Sequence, residues 1–254
     1  MVSHYRILAR LGGGAMGTVY KAEDTLLDRP VALKFLPADL TEDETASRRF
    51  MREARATSSL DHPNICTIHE IAQAEDGSWY IAMAWYDGAT LKRRLMDGPL
   101  DAEHALDLAR QVALGLDQAH RHEVVHRDIK PANLIVTDRG DVKILDFGLA
   151  RLLGKARLTR TGTVMGTAAY MSPEQARGED VGTSSDIWSL GVVLYEMVAG
   201  RVPYDGESDV AMIYSVLNTE PSPLPRPDSP LGSACNDIIA NCLVRRPETV
   251  SYTH

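Results

Sequence analysis

The chain has 254 residues, of which 44% are hydrophobic and 24% are charged, a balance typical of a globular protein rather than a disordered one. Its net charge of −8 argues against a nucleic-acid partner, and its three cysteines, which lack C-x-x-C spacing, argue against a disulfide framework. No apolar run is long enough to span a bilayer, and the first residues lack the pattern of a signal peptide. We therefore expect no membrane segment within this chain and a cytoplasmic location.

The first third of the chain predicts strands around a glycine-rich turn. Strand-like residues 5–9 lead into glycines at positions 12, 14 and 17, and strand-like residues 18–22 lead out. Such small residues let backbone N–H groups approach phosphates closely. A dinucleotide-binding turn of the Rossmann type would need a helix directly after the glycines, which residues 19–22 do not predict. A plain hairpin turn is the other alternative.

A lysine follows in the next predicted strand, residues 31–35. Lys34 ends an apolar run, where an ammonium group is costly unless it is paired. We expect it to bind phosphates and to pair with a carboxylate from the next helix. That helix is predicted from about Thr41, where Thr41 and Glu44 form a capping-box pattern, to about Ser59. Glu53 is the best candidate partner, and a solvated helix charge is the alternative.

The remaining elements predict two lobes. Residues 65–71 and 79–85 read as two more strands, and a break at residues 87–88 is followed by helical periodicity. Apolar spacing predicts a helix over 105–119, and residues 186–199 are apolar on nearly every face, which predicts a buried helix ended by Gly200. We expect a small β-rich lobe over about 1–86, a hinge over about 84–88 and a larger α-helical lobe over about 88–254.

Two short runs carry most of the chemistry. Residues 126–133 read His-Arg-Asp-Ile-Lys-Pro-Ala-Asn, and residues 146–148 read Asp-Phe-Gly. Asp128, Asn133 and Asp146 supply two carboxylates and an amide, a set suited to binding Mg²⁺ and to taking a proton from a hydroxyl. The alternative is a pair of loop carboxylates that cap turns.

Together, these residues resemble the eukaryotic-type serine/threonine protein kinase family, and especially its bacterial members. The resemblance runs from about Tyr5 to about Pro247. It implies an α+β, bilobal protein-kinase-like fold over residues 5–254. It also implies ATP- and Mg²⁺-dependent transfer of the γ-phosphate to Ser/Thr hydroxyls of protein substrates, with self-association for trans-autophosphorylation. The alternatives are a pseudokinase-like ATP-binding scaffold, a catalytically impaired fragment, or a kinase-fold enzyme acting on small molecules.

The resemblance also assigns roles to residues. Asp128 matches the catalytic base, Asn133 and Asp146 match the metal ligands, and Lys130 with Thr167 matches the serine/threonine subclass. The residues implied to bind the nucleotide are Leu11, Gly12, Gly13, Gly14, Ala15, Met16, Gly17, Thr18, Val19, Ala32, Lys34, Glu53, Met83, Ala84, Tyr86, Leu134 and Asp146. Within this set Met83 is the gatekeeper, and residues 84–86 are the hinge that would hold adenine through the backbone.

The resemblance also implies a structural anchor for the catalytic loop and a regulatory phosphorylation site. Asp186 resembles the Asp that anchors the catalytic-loop backbone, and Arg127 is the residue that would pair with a phosphate in the activation segment. The candidate phosphorylation sites in that segment are Thr159, Thr161 and Thr163.

The end of the chain departs from the family pattern. Val250 stands where the family has the Arg that pairs with Glu174, and the family's last helix is missing. We therefore expect a truncated C-terminal helix, and expect either that Glu174 lacks its partner or that Arg245 or Arg246 substitutes.

Overall fold

The computed structural model describes residues 1–14, 17–37, 54–147, 168–224 and 230–245. These ranges form a small lobe built on a five-stranded sheet and a large lobe built on helices, joined by the segment after the fifth strand. The mixed α+β architecture agrees with the expected fold class.

The small lobe is an antiparallel sheet in the order β1-β2-β3-β5-β4. Its strands are β1 (Tyr5–Gly14), β2 (Gly17–Asp24), β3 (Arg29–Phe35), β4 (Ile68–Gln73) and β5 (Trp79–Ala84). Alternation along β3 sends Val31 and Leu33 into one apolar cluster and Ala32 into another. Both faces of the central strands are therefore buried.

The glycine-rich segment differs from its prediction. The first strand does not end at residue 9 but continues through Gly14, because Gly12 pairs with Val19 and Gly14 with Gly17 across the hairpin. Gly17 has a φ of 107°, and a Cβ at this position would collide with the carbonyl oxygen of Phe35. Glycine is therefore required here for both conformation and space.

The predicted helix before β4 is described only at its end. Residues 54–58 are helical and stop before Leu60, in agreement with the expected end near Ser59. Its expected start, and Glu53, lie outside the described residues.

The large lobe contains six described helices and a small sheet. The helices are α1 (Leu91–Leu95), α2 (Ala102–Arg121), α3 (Pro173–Arg177), α4 (Thr183–Ala199), α5 (Asp209–Asn218) and α6 (Pro230–Cys242). The sheet has the order β6-β7-β8, with β6 (Gly88–Thr90), β7 (Leu134–Thr137) and β8 (Val142–Ile144). This sheet was not expected from the amino-acid sequence, because strands of three or four residues show too little alternation to be recognised.

The two principal helices confirm their predictions. α2 is amphipathic, with the side chain of Asp101 accepting a hydrogen bond from the backbone N–H of His104 at its start. α4 is buried on nearly every face and ends at Gly200, whose φ of 71° suits glycine. Both helices pack into the main apolar core of the large lobe. Within the described ranges, no helix combines the length and apolar character needed to cross a membrane.

Candidate active site

The predicted catalytic loop lies between α2 and β7. Pro131 begins a single 3-10 turn that ends at Asn133, and β7 starts directly afterwards. Proline suits the first position of a helical turn because its missing N–H would have had no partner there. The turn brings Lys130 and Asn133 back toward Asp128.

Asp128 is held from two sides. The Lys130 ammonium lies 2.8 Å from Asp128 Oδ2 and 2.9 Å from Oδ1. The Asn133 side-chain amide donates to Asp128 Oδ2 at 2.9 Å and to the Asp128 carbonyl at 2.8 Å. These bonds fix the orientation of the carboxylate, which is the condition for positioned proton transfer.

The same bonds orient the Asn133 amide. Both are donated by Nδ2, and Oδ1 receives no hydrogen bond from any described residue. The amide oxygen is therefore available as a ligand for a hard cation.

The loop backbone is anchored by a carboxylate from α4. Asp186 is fully buried and accepts hydrogen bonds from the backbone N–H of His126 at 2.8 Å and of Arg127 at 2.7 Å. Its Oδ2 also lies 2.8 Å from His120 Nε2 at the end of α2. The expectation that Asp186 anchors this backbone is confirmed, and the bonds hold Arg127 at a φ of 69°.

His126 and Phe147 pack against each other. His126 is fully buried, its Nε2 lies 2.7 Å from the carbonyl oxygen of Leu145, and its ring centroid lies 4.7 Å from that of Phe147. These contacts join the catalytic loop to the segment that carries Asp146.

The two lobes meet at Lys34 and Asp146. Lys34 on β3 is only 3% exposed, and its Nζ donates to Asp146 Oδ2 at 2.6 Å. A lysine buried to this extent requires a charged partner. The sequence paired Lys34 with Glu53, which lies outside the described residues, so the described partner of Lys34 is Asp146.

The residues predicted to form the apolar walls and the hinge lie on both lobes. Ala32 pairs with Met83 across β3 and β5, and both are buried. Val19 packs against the same cluster, and Leu134 is buried in the core of the large lobe. Leu11 is about half exposed on β1.

The backbone of the hinge is held at its first residue. Ala84 is bound to the small lobe through its backbone N–H, which donates to the carbonyl of Thr67 at 2.9 Å.

A buried cysteine lies behind the hinge. Cys66 packs with Met83 and Ala54, and burial, with a further contribution from the Asp146 carboxylate, raises the pKa of its thiol to about 12. A thiol with so high a pKa is a poor nucleophile at neutral pH. Cys66 therefore serves as a packing group.

Sequence reasoning missed the residue that joins the two lobes behind the hinge. The Asn64 side-chain amide donates to Gln111 Oε1 on α2 and to the carbonyl of Val142 on β8, both at 3.1 Å. The Asn64 carbonyl accepts from the N–H of Ile144 at 2.8 Å. Its partners are far away along the chain, so no local pattern indicates this role.

The environment of Glu174 bears on one expectation. Glu174 is buried and accepts a hydrogen bond from the hydroxyl of Ser185. Arg245 lies 3.4 Å from Glu220 and forms no described ion pair with Glu174. Of the alternatives left open for Glu174, substitution by Arg245 is therefore not seen within the described ranges, where the Ser185 hydroxyl is its hydrogen-bond donor. Arg246 and Val250 lie outside those ranges.

Several other predicted positions lie outside the described residues. They are Ala15 and Met16 in the glycine turn, Glu53, Gly148, the activation-segment threonines Thr159, Thr161 and Thr163, and Thr167.

Comparison with known proteins agrees with this arrangement. The family model described as protein kinase domain matches residues 5–250. The chain belongs to the protein kinase domain family.

Relatives of this kinase domain carry the names of bacterial enzymes. The chain is 42% identical over 244 residues to the serine/threonine-protein kinase PrkC of Bacillus subtilis, covering 96% of the chain and 38% of that protein. It is 38% identical over 250 residues to the serine/threonine-protein kinase PknB of Mycolicibacterium smegmatis, covering 96% and 40%. The kinase domain thus spans well under half the length of these two relatives. The expected resemblance to bacterial members of the family is confirmed.

A solved structure supports the fold. The crystal structure of the PknI kinase domain from Mycobacterium tuberculosis aligns with a TM-score of 0.74 and 25% identity, covering 100% of this chain and 92% of that one. The expected bilobal protein-kinase fold is confirmed.

Proposed function

We propose that this domain is a serine/threonine protein kinase that transfers the γ-phosphate of ATP to hydroxyl groups of proteins, with Mg²⁺ as its metal. The observation that carries the proposal is a convergence across the two lobes. The Asp128 carboxylate, held by Lys130 and Asn133, lies in the large lobe. A second carboxylate, that of Asp146, contacts Lys34, which belongs to the small lobe.

In this proposal Asp128 receives the proton of the attacking hydroxyl. Its two hydrogen-bond donors fix the orientation of its carboxylate, and Lys130 adds a positive charge beside the transferred group. Phosphoryl transfer needs little covalent chemistry from a protein, so positioning and charge are the main contributions.

The oxygen donors fit a magnesium ion. Asp146 offers a carboxylate and Asn133 an amide oxygen with no described hydrogen bond, which are ligands that Mg²⁺ prefers over nitrogen or sulfur. Among the described residues no group of three or more His, Cys, Asp or Glu side chains could form an all-protein metal cage. This agrees with a metal held mainly by phosphates and water. When bound, Mg²⁺ would neutralise charge on the phosphates.

The nucleotide would lie between the glycine hairpin and the large lobe. We propose that the backbone N–H groups of residues 12–18 cover the phosphates, while Lys34 pairs with them. The hinge backbone at Ala84 and Tyr86 would hold adenine, and no described residue bonds to the Tyr86 backbone N–H. The apolar walls would be Leu11, Val19, Ala32, Met83 and Leu134.

Selectivity and regulation follow from the same resemblance. Lys130 beside Asp128, together with Thr167, supports serine/threonine rather than tyrosine substrates. We propose that phosphate on Thr161 or Thr163 would pair with Arg127, and that copies of the domain would phosphorylate one another. We further propose that the domain spans residues 5–254 and works in the cytoplasm, where ATP is available. A pseudokinase is not favoured, because the residues expected at every catalytic position are present.

The test is Mg²⁺-ATP phosphorylation by the wild type, Asp128→Asn and the control Asp97→Asn, in which the exposed carboxylate follows α1. We expect Asp128→Asn to lower the rate by ~10²–10⁴ while calorimetry shows ATP binding little changed. Asp97→Asn should match the wild type. Equal labelling by wild type and Asp128→Asn would contradict the role of Asp128. Failure of the wild type to bind ATP would contradict the proposed function.

A further inference from the structure

Two aromatic residues occupy the hinge, and a lysine lies over each. Trp85 and Tyr86 directly follow β5. Lys21 Nζ lies 4.2 Å from the centroid of the Trp85 ring, and Lys143 Nζ lies 5.0 Å from that of Tyr86. Both distances fall within the range of cation–π attraction. Lys21 belongs to the small lobe and Lys143 to the large lobe, so each lobe contributes one lysine to the hinge.

The Lys21 contact is not explained by an ion pair. Lys21 lies on β2 opposite Ala32, on the same face as Val19, and is partly buried. Within the described ranges it forms no ion pair, and the carboxylate of Glu23 is bonded to Arg6 instead. The Lys21 ammonium thus makes its described contact with the indole ring of Trp85.

Trp85 carries this contact on to the large lobe. Its Nε1 donates to Asp87 Oδ1 at 2.9 Å. The carbonyl of Asp87 in turn accepts from the N–H of Asp138, in the turn between β7 and β8, at 3.1 Å. A continuous line of contacts therefore runs from β2 through the hinge to the large lobe.

Tyr86 has contacts of its own with both lobes. Its hydroxyl accepts from the N–H of Thr67 at 3.3 Å, and Lys143, above its ring, also donates to the carbonyl of Pro63. Tyr86 is thus tied to the small lobe through Thr67, whereas Trp85 contacts the side chain of Lys21 on β2 directly.

We propose that the Lys21–Trp85 contact positions the nucleotide-covering sheet over the hinge and thereby sets the affinity for ATP. The inference rests on the proposed function, since it assumes that ATP binds between this sheet and the hinge. Lys21 and Trp85 are positioning residues, because they act through the distance between β2 and the hinge. Without the contact, a smaller fraction of the molecules has the lobes correctly spaced. The apparent affinity for ATP falls in proportion to that fraction. Bound nucleotide restores the spacing at saturation, so the maximal rate is retained.

The experiment compares Lys21→Met, Lys21→Arg, Trp85→Leu and the double variant Lys21→Met/Trp85→Leu. The readouts are the Mg²⁺-ATP dissociation constant from calorimetry, and KM and kcat from steady-state phosphorylation. Lys92→Met, which removes an exposed lysine from α1, is the matched control.

Lys21→Met should raise the dissociation constant and KM for ATP by roughly 2- to 5-fold, with kcat and the KM for protein substrate unchanged. Lys21→Arg should restore wild-type values, because a guanidinium also binds an indole face. The double variant should be no weaker than Trp85→Leu alone, since both changes remove one interaction. Thermal unfolding of each variant shows whether it remains folded.

Wild-type affinity in Lys21→Met, an arginine variant as weak as the methionine variant, or additive effects in the double variant would each overturn the inference while leaving the proposed function intact. A wild type that fails to bind Mg²⁺-ATP would overturn the proposed function and this inference with it.

Discussion

The floor and the roof of the candidate active site are held in different ways. The floor is the catalytic loop, where the fully buried Asp186 and the pair Lys130 and Asn133 fix backbone and carboxylate inside one lobe. The roof is the glycine hairpin with Lys34 and Lys21, which reach the rest of the site through one ion pair and one cation–π contact. The catalytic carboxylate is therefore fixed by several contacts within one lobe, whereas the nucleotide cover has one described ion pair with the large lobe and one cation–π contact with the hinge.

The largest expected effect tests the floor. Asp186→Ala removes the buried carboxylate that accepts from the backbone N–H groups of His126 and Arg127 and contacts His120. We expect a loss of ~3–5 kcal/mol in the free energy of unfolding, measured by urea denaturation, because the two N–H groups lose their acceptor.

The control for this prediction is Asp117→Ala, which breaks an ion pair with Arg121 whose side chains are about half exposed or more. It should change stability by less than about 0.5 kcal/mol. Asp186→Asn, which retains one acceptor oxygen, should fall between the two. An Asp186→Ala domain as stable as the control would mean that the floor is not held from α4.

The next prediction tests the ion pair between roof and floor. Lys34→Met should lower kcat/KM by ~10²–10³, because a preorganised charge at the phosphates is lost. Stability should change little, since methionine fills similar space and the Asp146 side chain is 17% exposed and so reaches water.

Activity is measured by phosphorylation and stability by thermal unfolding, with Lys92→Met as the control for losing a positive charge. Near-normal activity in Lys34→Met would show that the roof does not act through this contact.

A smaller effect is expected at the joint behind the hinge. Asn64→Ala loses side-chain bonds to Gln111 and to the carbonyl of Val142, so we expect a cost of ~1–3 kcal/mol in urea denaturation. Asn218→Ala, whose amide bonds at an exposed site to the carbonyl of Tyr214, should cost much less. Equal costs would mean that the lobes are joined elsewhere.

The smallest expected effect is a pH dependence of stability that arises from Glu196, near the C-terminal end of α4. Burial raises the pKa of Glu196 above its ordinary value, despite a hydrogen bond from Tyr170 at 2.6 Å and the nearby charge of Lys92. A carboxyl group with a raised folded pKa binds more protons folded than unfolded, so its contribution to stability decreases as pH rises from the ordinary Glu pKa through the folded one.

Glu196→Gln should therefore gain stability relative to the wild type over that pH range and show no relative change below it. Urea denaturation at a series of pH values measures the difference. A difference that is flat across the range would show that Glu196 is not desolvated.

Much of the floor could be predicted because its parts are close in sequence. Asp128, Lys130 and Asn133 fall within one loop and one 3-10 turn, so local geometry alone brings them together. The strands β3 and β5 and the buried helix α4 were likewise recognisable, because apolar spacing reports which faces are buried. The small sheet of β6, β7 and β8 was not, because its strands are too short for a period to show.

Contacts between distant residues needed the tertiary structure. The chain pattern indicated that Lys34 needs a carboxylate and suggested Glu53, which lies outside the described residues. It did not indicate the contact between Lys34 and Asp146 on the other lobe. Asp186 could be assigned through family resemblance, yet Asn64, His120 and the pair Lys21 and Trp85 carried no sequence signal.

The physical reason is that periodicity and turn chemistry are short-range properties of the backbone, so they specify the elements and any site built within a single loop. Which side chains meet across the hinge is decided only when the two lobes pack. The catalytic loop was therefore visible in the amino-acid sequence, while the contacts that set the roof above it became visible only in the folded molecule.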